Sequence, residues 1–267
     1  MRILVTGATG NVGRLVVDHL LAAGATEVLA LTANPAKAAL PAGVEVVEGY
    51  LGRLETMPAA LEGVDRMYLA PLPRTVREVV ALAHQAGVQQ VVDLAGAEDS
   101  LWHAVEEAVE ESGIAWTHLE AGEFMTNSAI WAEQIRTTGV VRDAYPDAAS
   151  APVALEDIAA VAAAVLLEDG HVGKAYELTG PETVTRAERV RLIGEALGRD
   201  IPFVELTHEQ AVGQLSAVIG EHAAWYLDRM ARLAEHPQRA VPTVEEITGR
   251  PGTTFAEWAV KHAGTFR

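Results

Sequence analysis

Short apolar runs alternate with helical stripes along this chain from its first residues. Arg2 to Thr6 is a strand-like run, and Val12 to Ala23 has helical periodicity that stops at Gly24. Glu27 to Thr32 reads as a second strand. Asn34-Pro35 opens a short helix, with a capping side chain before a proline at the first helical position. Val44 to Glu48 is a third strand, Leu54 to Leu61 a helix, and Arg66 to Ala70 a fourth strand ending at Pro71. The helix Thr75 to Ala86 stops at Gly87, and Val88 to Leu94 is a fifth strand. Asp99 to Ser112 is a helix with Gly113 as its stop, and Ile114 to Leu119 a sixth strand. Strands and helices alternating at this spacing predict a parallel sheet covered on both faces.

Beyond Gly122 the pattern loosens. A helix near Phe124 to Arg136 leads through Gly139 and Tyr145-Pro146 to Ala151-Pro152-Val153, and an alanine-rich helix spans Glu156 to Glu168. Ala175 to Thr179 and Ile201 to Leu206 read as strands around a helix from Arg186 to Leu197, and Glu209 to Glu235 as two helices. The expected fold is α/β: a Rossmann-type, doubly wound parallel sheet with a smaller, mostly helical C-terminal lobe. Residues 1–122 form the dinucleotide-binding domain. Residues 123–267 form a substrate-binding lobe packed on it, with some segments returning to the sheet.

At 267 residues and 49% apolar composition the chain can bury a sizeable core. No apolar stretch approaches the roughly 20 residues that a membrane span needs, and with a strand-like run at the start no signal peptide is expected. There is no cysteine, so disulfide and thiolate chemistry are excluded and a cytoplasmic location is expected. The net charge of −17 opposes nucleic acid and anionic membranes as partners. Arg186, Arg189 and Arg191 are the one close basic cluster. With Glu188 and Glu195 on the same helix, they read as a solvated face.

Directly after the first strand comes Thr6-Gly7-Ala8-Thr9-Gly10-Asn11-Val12-Gly13, with glycines at positions i, i+3 and i+6 between strand and helix. One glycine makes the tight turn, a second lets backbone approach a pyrophosphate, and a third lets helix pack close to strand. The helix N-terminus offers free N–H groups and a partial positive charge to the diphosphate. A glycine triplet alone is a weak signal; its place inside a βαβ unit makes this one a dinucleotide loop.

The sequence resembles the NmrA-like, atypical short-chain dehydrogenase/reductase family, including its NAD(P)H:quinone oxidoreductase-like members. The residues that carry the resemblance are the loop through Arg14, Asn34-Pro35, Glu48-Gly49, Ser112-Gly113-Ile114 and Phe124-Met125-Thr126-Asn127. The later half adds Ala151-Pro152 with Asp157-Ile158-Ala159, Tyr176 to Pro181, and Thr248-Gly249-Arg250-Pro251 with Phe255 and Trp258. The resemblance implies a nicotinamide cofactor held by Gly7, Thr9, Gly10, Asn11, Val12, Gly13, Thr32, Asn34, Ala70, Pro71, Ala95 and Gly96. Neither a metal nor a flavin is expected.

The chain also departs from the family. Where members commonly carry an arginine for the 2′-phosphate of NADP(H), it has Ala33, and Arg14 is the nearest alternative. The family's Asp after Glu-Gly, near the adenine, is Tyr50, and its Arg-Pro-Gly after the sixth strand is Glu120-Ala121-Gly122. No acidic residue stands ready for the ribose diol either. With an acidic field and no cation for the phosphate, NAD(H) is favoured over NADP(H).

No tyrosine has a lysine four residues on, so the usual short-chain dehydrogenase acid is missing. Zinc-protease and nucleophile-elbow motifs are absent too. The family pattern puts the missing dyad on the helix with Trp102, His103, Glu106 and Glu107. There His103 is the candidate proton donor, although a lone histidine more often packs or faces water. Phe124, Met125, Asn127 and Trp131, with Trp102, form the candidate substrate edge; core packing explains the apolar ones equally well. Asp157 reads as a helix cap.

The reading that results is an NAD(P)H-dependent reductase of quinones or quinone-like aromatic, polyketide-type carbonyls, acting as a monomer or homodimer. Two alternatives stay open. One is a non-catalytic dinucleotide-binding redox sensor. The other is a tailoring enzyme of aromatic natural-product (antibiotic) biosynthesis that couples quinone reduction to oxygenation.

Overall fold

The computed structural model describes residues 1–96 and 102–267. In chain order the elements begin with β1 (Ile3–Val5), α1 (Asn11–Ala22), β2 (Val28–Thr32), β3 (Val44–Glu48), α2 (Met57–Ala60), β4 (Arg66–Leu69) and α3 (Val76–Ala86). Then come β5 (Gln90–Ala95), α4 (His103–Glu111), β6 (Ala115–Ala121), α5 (Ala132–Thr138), β7 (Val141–Asp143), β8 (Ala149–Ser150) and α6 (Leu155–Leu167). The rest are β9 (Lys174–Leu178), β10 (Val184–Thr185), α7 (Arg186–Leu197), β11 (Phe203–Glu205), α8 (His208–Ile219), α9 (His222–Glu235), α10 (Thr243–Thr248) and α11 (Phe255–Lys261).

The chain divides into two compact units. The first comprises residues 1–122, 155–178 and 243–250. Its seven-stranded sheet runs β3-β2-β1-β4-β5-β6-β9, with every neighbouring pair parallel. Strand order reverses on either side of β1, as in a doubly wound Rossmann-like sheet, and that reversal marks where such sheets bind ligands. Every residue of β2 and of β5 is buried, which is why these strands read as unbroken runs rather than alternating ones. Helix α6 is buried along most of its length, as its alanine-rich sequence requires.

The second unit comprises residues 123–154, 179–242 and 251–267. Its core gathers Met125, Trp131, Ile135, Val190, Ile193, Phe255, Trp258 and Phe266. A smaller cluster joins Ala211 and Leu215 of α8 to Ala223 and Leu227 of α9. Two small sheets pair β8 with β10 antiparallel and β7 with β11 parallel.

Several local expectations change. The single helix from Leu54 to Leu61 is a 3-10 turn, Leu54–Thr56, followed by the four-residue α2, because Pro58 sits where only a first helical turn tolerates it. The helix from Phe124 is a 3-10 segment, Met125–Trp131, before α5 begins. β7, β8 and β10 have two or three residues each, too short for periodicity to register. The start of the expected helix at Asp99 lies outside the described residues. Asp157 lies in the first turn of α6 as its third residue, fully buried, with a carboxylate oxygen 3.2 Å from an Arg250 guanidinium nitrogen.

Candidate functional site

The glycine loop follows β1 directly. Gly7 adopts φ +60°, where a side chain is strained, and a Cβ there would lie 2.8 Å from the Cβ of Ala70. Thr6, the first residue of the loop, holds it against the end of β4. Its buried hydroxyl donates to the Tyr68 carbonyl at 3.0 Å and accepts the Ala70 N–H at 2.8 Å. Gly10 N–H donates back to the Gly7 carbonyl at 2.8 Å, and Gly10 then becomes the N-cap of α1. A Cβ on Gly13 would collide with the carbonyl of Gly7, so helix and loop can approach this closely only without one.

The first turn of α1 brings no negative charge of its own to this helix start, and no side chain caps it at Gly10. The N–H groups there have no partner within the helix, and they carry the positive end of its dipole. Gly7, Thr9, Gly10 and Asn11 are exposed, whereas Val12 and Gly13 are buried. Bare donors over a cradle that side chains would fill are what a diphosphate requires.

The other expected cofactor residues lie at the carboxyl ends of neighbouring strands. At β2, Thr32 is buried and its hydroxyl accepts the Asn34 N–H at 3.3 Å, while Ala33 and Asn34 are exposed. Ala70 and Pro71 follow β4 half-buried, and Ala95 and Gly96 end β5 buried. Arg14 faces Asp18 across one helical turn at 3.6 Å.

His103 begins α4. Its Nδ1 lies 3.1 Å from Glu106 Oε2, and its Nε2 lies 3.8 Å from Glu107 Oε1. Burial pushes the Glu106 carboxyl above the usual range, against the pull of His103. Trp102 beside it is exposed. Deeper in the sheet, His118 Nδ1 lies 2.7 Å from Asp93 Oδ2, with both side chains buried. Burial lowers His118, but the hydrogen bond and charge of Asp93 outweigh it and leave the imidazole above its ordinary value. That pair was not anticipated, because Asp93 and His118 are 25 residues apart and meet only through strand register.

A family model described as NAD(P)H-binding matches residues 7–169. A (4-alkanoyl-5-oxo-2,5-dihydrofuran-3-yl)methyl phosphate reductase of Streptomyces griseus is 39% identical over 280 residues, 99% of each chain. An NAD(P)H azoreductase of Xenophilus azovorans is 36% identical, again over 99% of both. The chain belongs to the NAD(P)H-binding, NmrA-like short-chain dehydrogenase/reductase family. An NADPH-dependent quinone oxidoreductase of Escherichia coli, solved with NADPH, superposes with a TM-score of 0.88 at 27% identity, covering 97% of this chain and 99% of that one. As a member of this family, the chain is an NAD(P)H-dependent oxidoreductase.

The remaining candidates lie in the second unit of this family member. Phe124 is half-buried and bridges to Val153, and Asn127 is exposed. Met125 and Trp131 are each 1% exposed, inside the core cluster. The Trp131 indole N–H donates to Asp143 at 2.8 Å, and the Arg186 guanidinium lies 5.3 Å from the ring centre.

The expectation of a solvated arginine face on α7 is overturned. Arg186 and Arg189 are 0% and 2% exposed, and only Arg191 reaches solvent, between Glu188 and Glu195. Arg186 pairs with Asp143, while Arg189 reaches Glu123 at 3.0 Å and the Ser150 hydroxyl. Burial pushes the Glu123 carboxyl up, but the charge of Arg189, the Ser150 hydrogen bond and the charge of Arg186 together hold it below the usual range. The acidic partners lie far away in sequence, so neighbouring residues alone gave no sign of this network.

Proposed function

We propose that the chain reduces a conjugated, electron-poor acceptor, a quinone or quinone-like aromatic carbonyl, with no dedicated tyrosine acid and with NADH preferred over NADPH. The observation that carries this reading is the state of the five tyrosines. The hydroxyls of Tyr50, Tyr145, Tyr176 and Tyr226 are engaged by Arg74, His208, His171 and Arg186. Tyr68 is 1% exposed, and burial raises its pKa. None has a lysine four residues on in the sequence.

The glycine loop and the start of α1 would hold the diphosphate, Thr32 and Asn34 the adenosine ribose, and Ala95 and Gly96 the nicotinamide end. When bound, the reduced cofactor supplies two electrons and a proton as hydride. The chain's own residues orient the cofactor and keep it aligned with the substrate. Quinones, azo groups and a dihydrofuranone conjugated to an acyl group share one property: the charge left by hydride addition is delocalised. Such an anion takes its proton from water. The relatives named for azo and furanone substrates support this class, and Ala33, standing where the resemblance leads one to expect an arginine for the 2′-phosphate, supports NADH.

The test is oxidation of NADH and NADPH with a naphthoquinone, an azo dye and an acyl-dihydrofuranone. Each tyrosine-to-phenylalanine variant is expected to keep turnover within about tenfold, whereas losing a true general acid costs roughly 10² to 10⁴. His103→Gln is the control: a loss of that size with intact substrate binding makes His103 the proton donor. A bound dinucleotide that no acceptor oxidises would favour the sensor reading.

A further inference from the structure

Helix α4 meets β5 and β6 through two stripes of different chemistry. Val105, Ala108 and Val109 join the core of the first unit. Glu106 and Glu110, one helical turn apart, bring their charge to the buried Asp93–His118 pair instead. Asp93 and His118 stand opposite each other in strand register. His118 Nε2 lies 3.6 Å from Glu110 Oε1, so the imidazole bridges a carboxylate of the sheet and one of the helix. Trp116 stacks on the same imidazole, with ring centres 4.1 Å apart and planes 17° from parallel.

The other groups around the pair do not supply a second cation to it. On β4, Leu69 is the neighbour of Asp93, and Tyr68 is kept neutral by burial and by Asp93. On β9, Ala175 is the neighbour of His118. Glu120 of β6 adds negative charge at Glu106, whose Oε2 is bonded to His103. Arg77 of α3 is engaged by Glu111 and lies 3.9 Å from Glu107, both on the exposed side of α4. Helix α6 packs on the same strands, and its buried Asp157 is paired with Arg250. Among the described residues, the imidazole is therefore the cation that Asp93, Glu106 and Glu110 share.

Burial pushes the Asp93 carboxyl up, against the pull of His118. At His118 burial acts downward, but the bond to Asp93 and the charges of Asp93, Glu106 and Glu110 outweigh it. Both directions favour keeping the bridging proton, whichever partner carries it. Its loss leaves three carboxylates around a neutral ring. We propose that this shared proton is a clip that fixes α4 on the sheet, and with it Trp102 and His103 at the start of the helix. Without the proton, α4 is held by its apolar stripe alone. The clip is complete below the ordinary histidine value and is lost as pH rises through the higher, folded one. It does not depend on which acceptor the chain reduces.

The test is hydrogen exchange of the full chain between about pH 6 and about pH 9, a range that brackets histidine titration from above. Rates are expressed as protection factors, which remove the intrinsic effect of pH. Protection of the α4 amides is expected to fall by about tenfold or more through one transition, while β1 and β2 keep theirs. An imidazolium stacked on an indole quenches it, so Trp116 emission should rise with the same midpoint, and Trp116→Phe should abolish that rise. His118→Gln should leave α4 protection independent of pH. Glu110→Gln, at a half-exposed position that folding does not depend on, should move both midpoints to lower pH and tests the clip even where His118→Gln does not fold. Constant α4 protection in the wild type overturns the proposal, as does a fluorescence transition without a change in protection. So does an α4 transition that survives in folded His118→Gln or that Glu110→Gln leaves in place.

Discussion

The start of α1 and the start of α7 treat charge in opposite ways. At the start of α1 no acidic side chain meets the helix end: it has exposed glycines, a bare N-cap and donors unspent within the helix. At α7 two arginines are buried, and their charges are consumed by Asp143 and Glu123. An unneutralised backbone field is available to a ligand, whereas a buried, paired guanidinium is already satisfied by the fold. Of the two regions, the one poorer in charged residues is the one equipped to hold an anion.

The largest effect should come from breaking the buried pairing. Arg189→Ala leaves Glu123 buried without its principal cation, and removing one partner of such a pair costs about 3–5 kcal/mol. Denaturant unfolding should show that loss, while Arg189→Met combined with Glu123→Leu should recover most of it. The pH dependence follows from the same group. The folded-state pKa of Glu123 is depressed, so its stabilisation is complete above the ordinary glutamate value and is lost as pH falls through the folded one. Wild type should therefore lose more stability on acidification than the doubly substituted chain. Equal acid sensitivity would mean that Glu123 is not held ionised by Arg189.

A smaller effect, confined to binding, is expected at the other helix. A Cβ on Gly10 would stand 3.1 Å from the Gly7 carbonyl oxygen, and valine adds two methyl groups where the diphosphate must approach. Gly10→Val should weaken dinucleotide binding by more than tenfold, about 1.4 kcal/mol. Its unfolding transition should stay close to wild type. Calorimetry and denaturation on the same preparation separate the two, and unchanged affinity in a folded variant would remove the loop from the site.

The same contrast explains what the sequence revealed. The glycine spacing was legible because a strand, three glycines and a helix are contiguous, and local geometry dictates each residue. The parallel sheet was legible because strands covered on both faces are continuous apolar runs, as in Val28–Thr32. Arg186 and Arg189 were misread because Glu188 and Glu195 supply a plausible solvated partner set within one helix. Their actual partners lie 43 and 66 residues away. Asp93 and His118 escaped for the same reason. Trp131 was legible only as an aromatic, since whether it faces a ligand or Asp143 depends on tertiary structure.

The smallest effect should come from adding a side-chain charge at the end of β2. Ala33 is exposed at the end of β2, beside Asn34, where the adenosine ribose is proposed to lie. Ala33→Arg places a guanidinium within reach of a 2′-phosphate, and a charge-assisted hydrogen bond forms there. Because the position is solvent-exposed, screening keeps the gain to about 0.5–1 kcal/mol, a few-fold change in the NADPH-to-NADH affinity ratio. Titration of both cofactors at two salt concentrations measures it, and the shift should shrink as salt rises. If wild type already prefers NADPH strongly, another cation serves the phosphate. Arg14, which spends only a 3.6 Å contact on Asp18, is then the residue to replace.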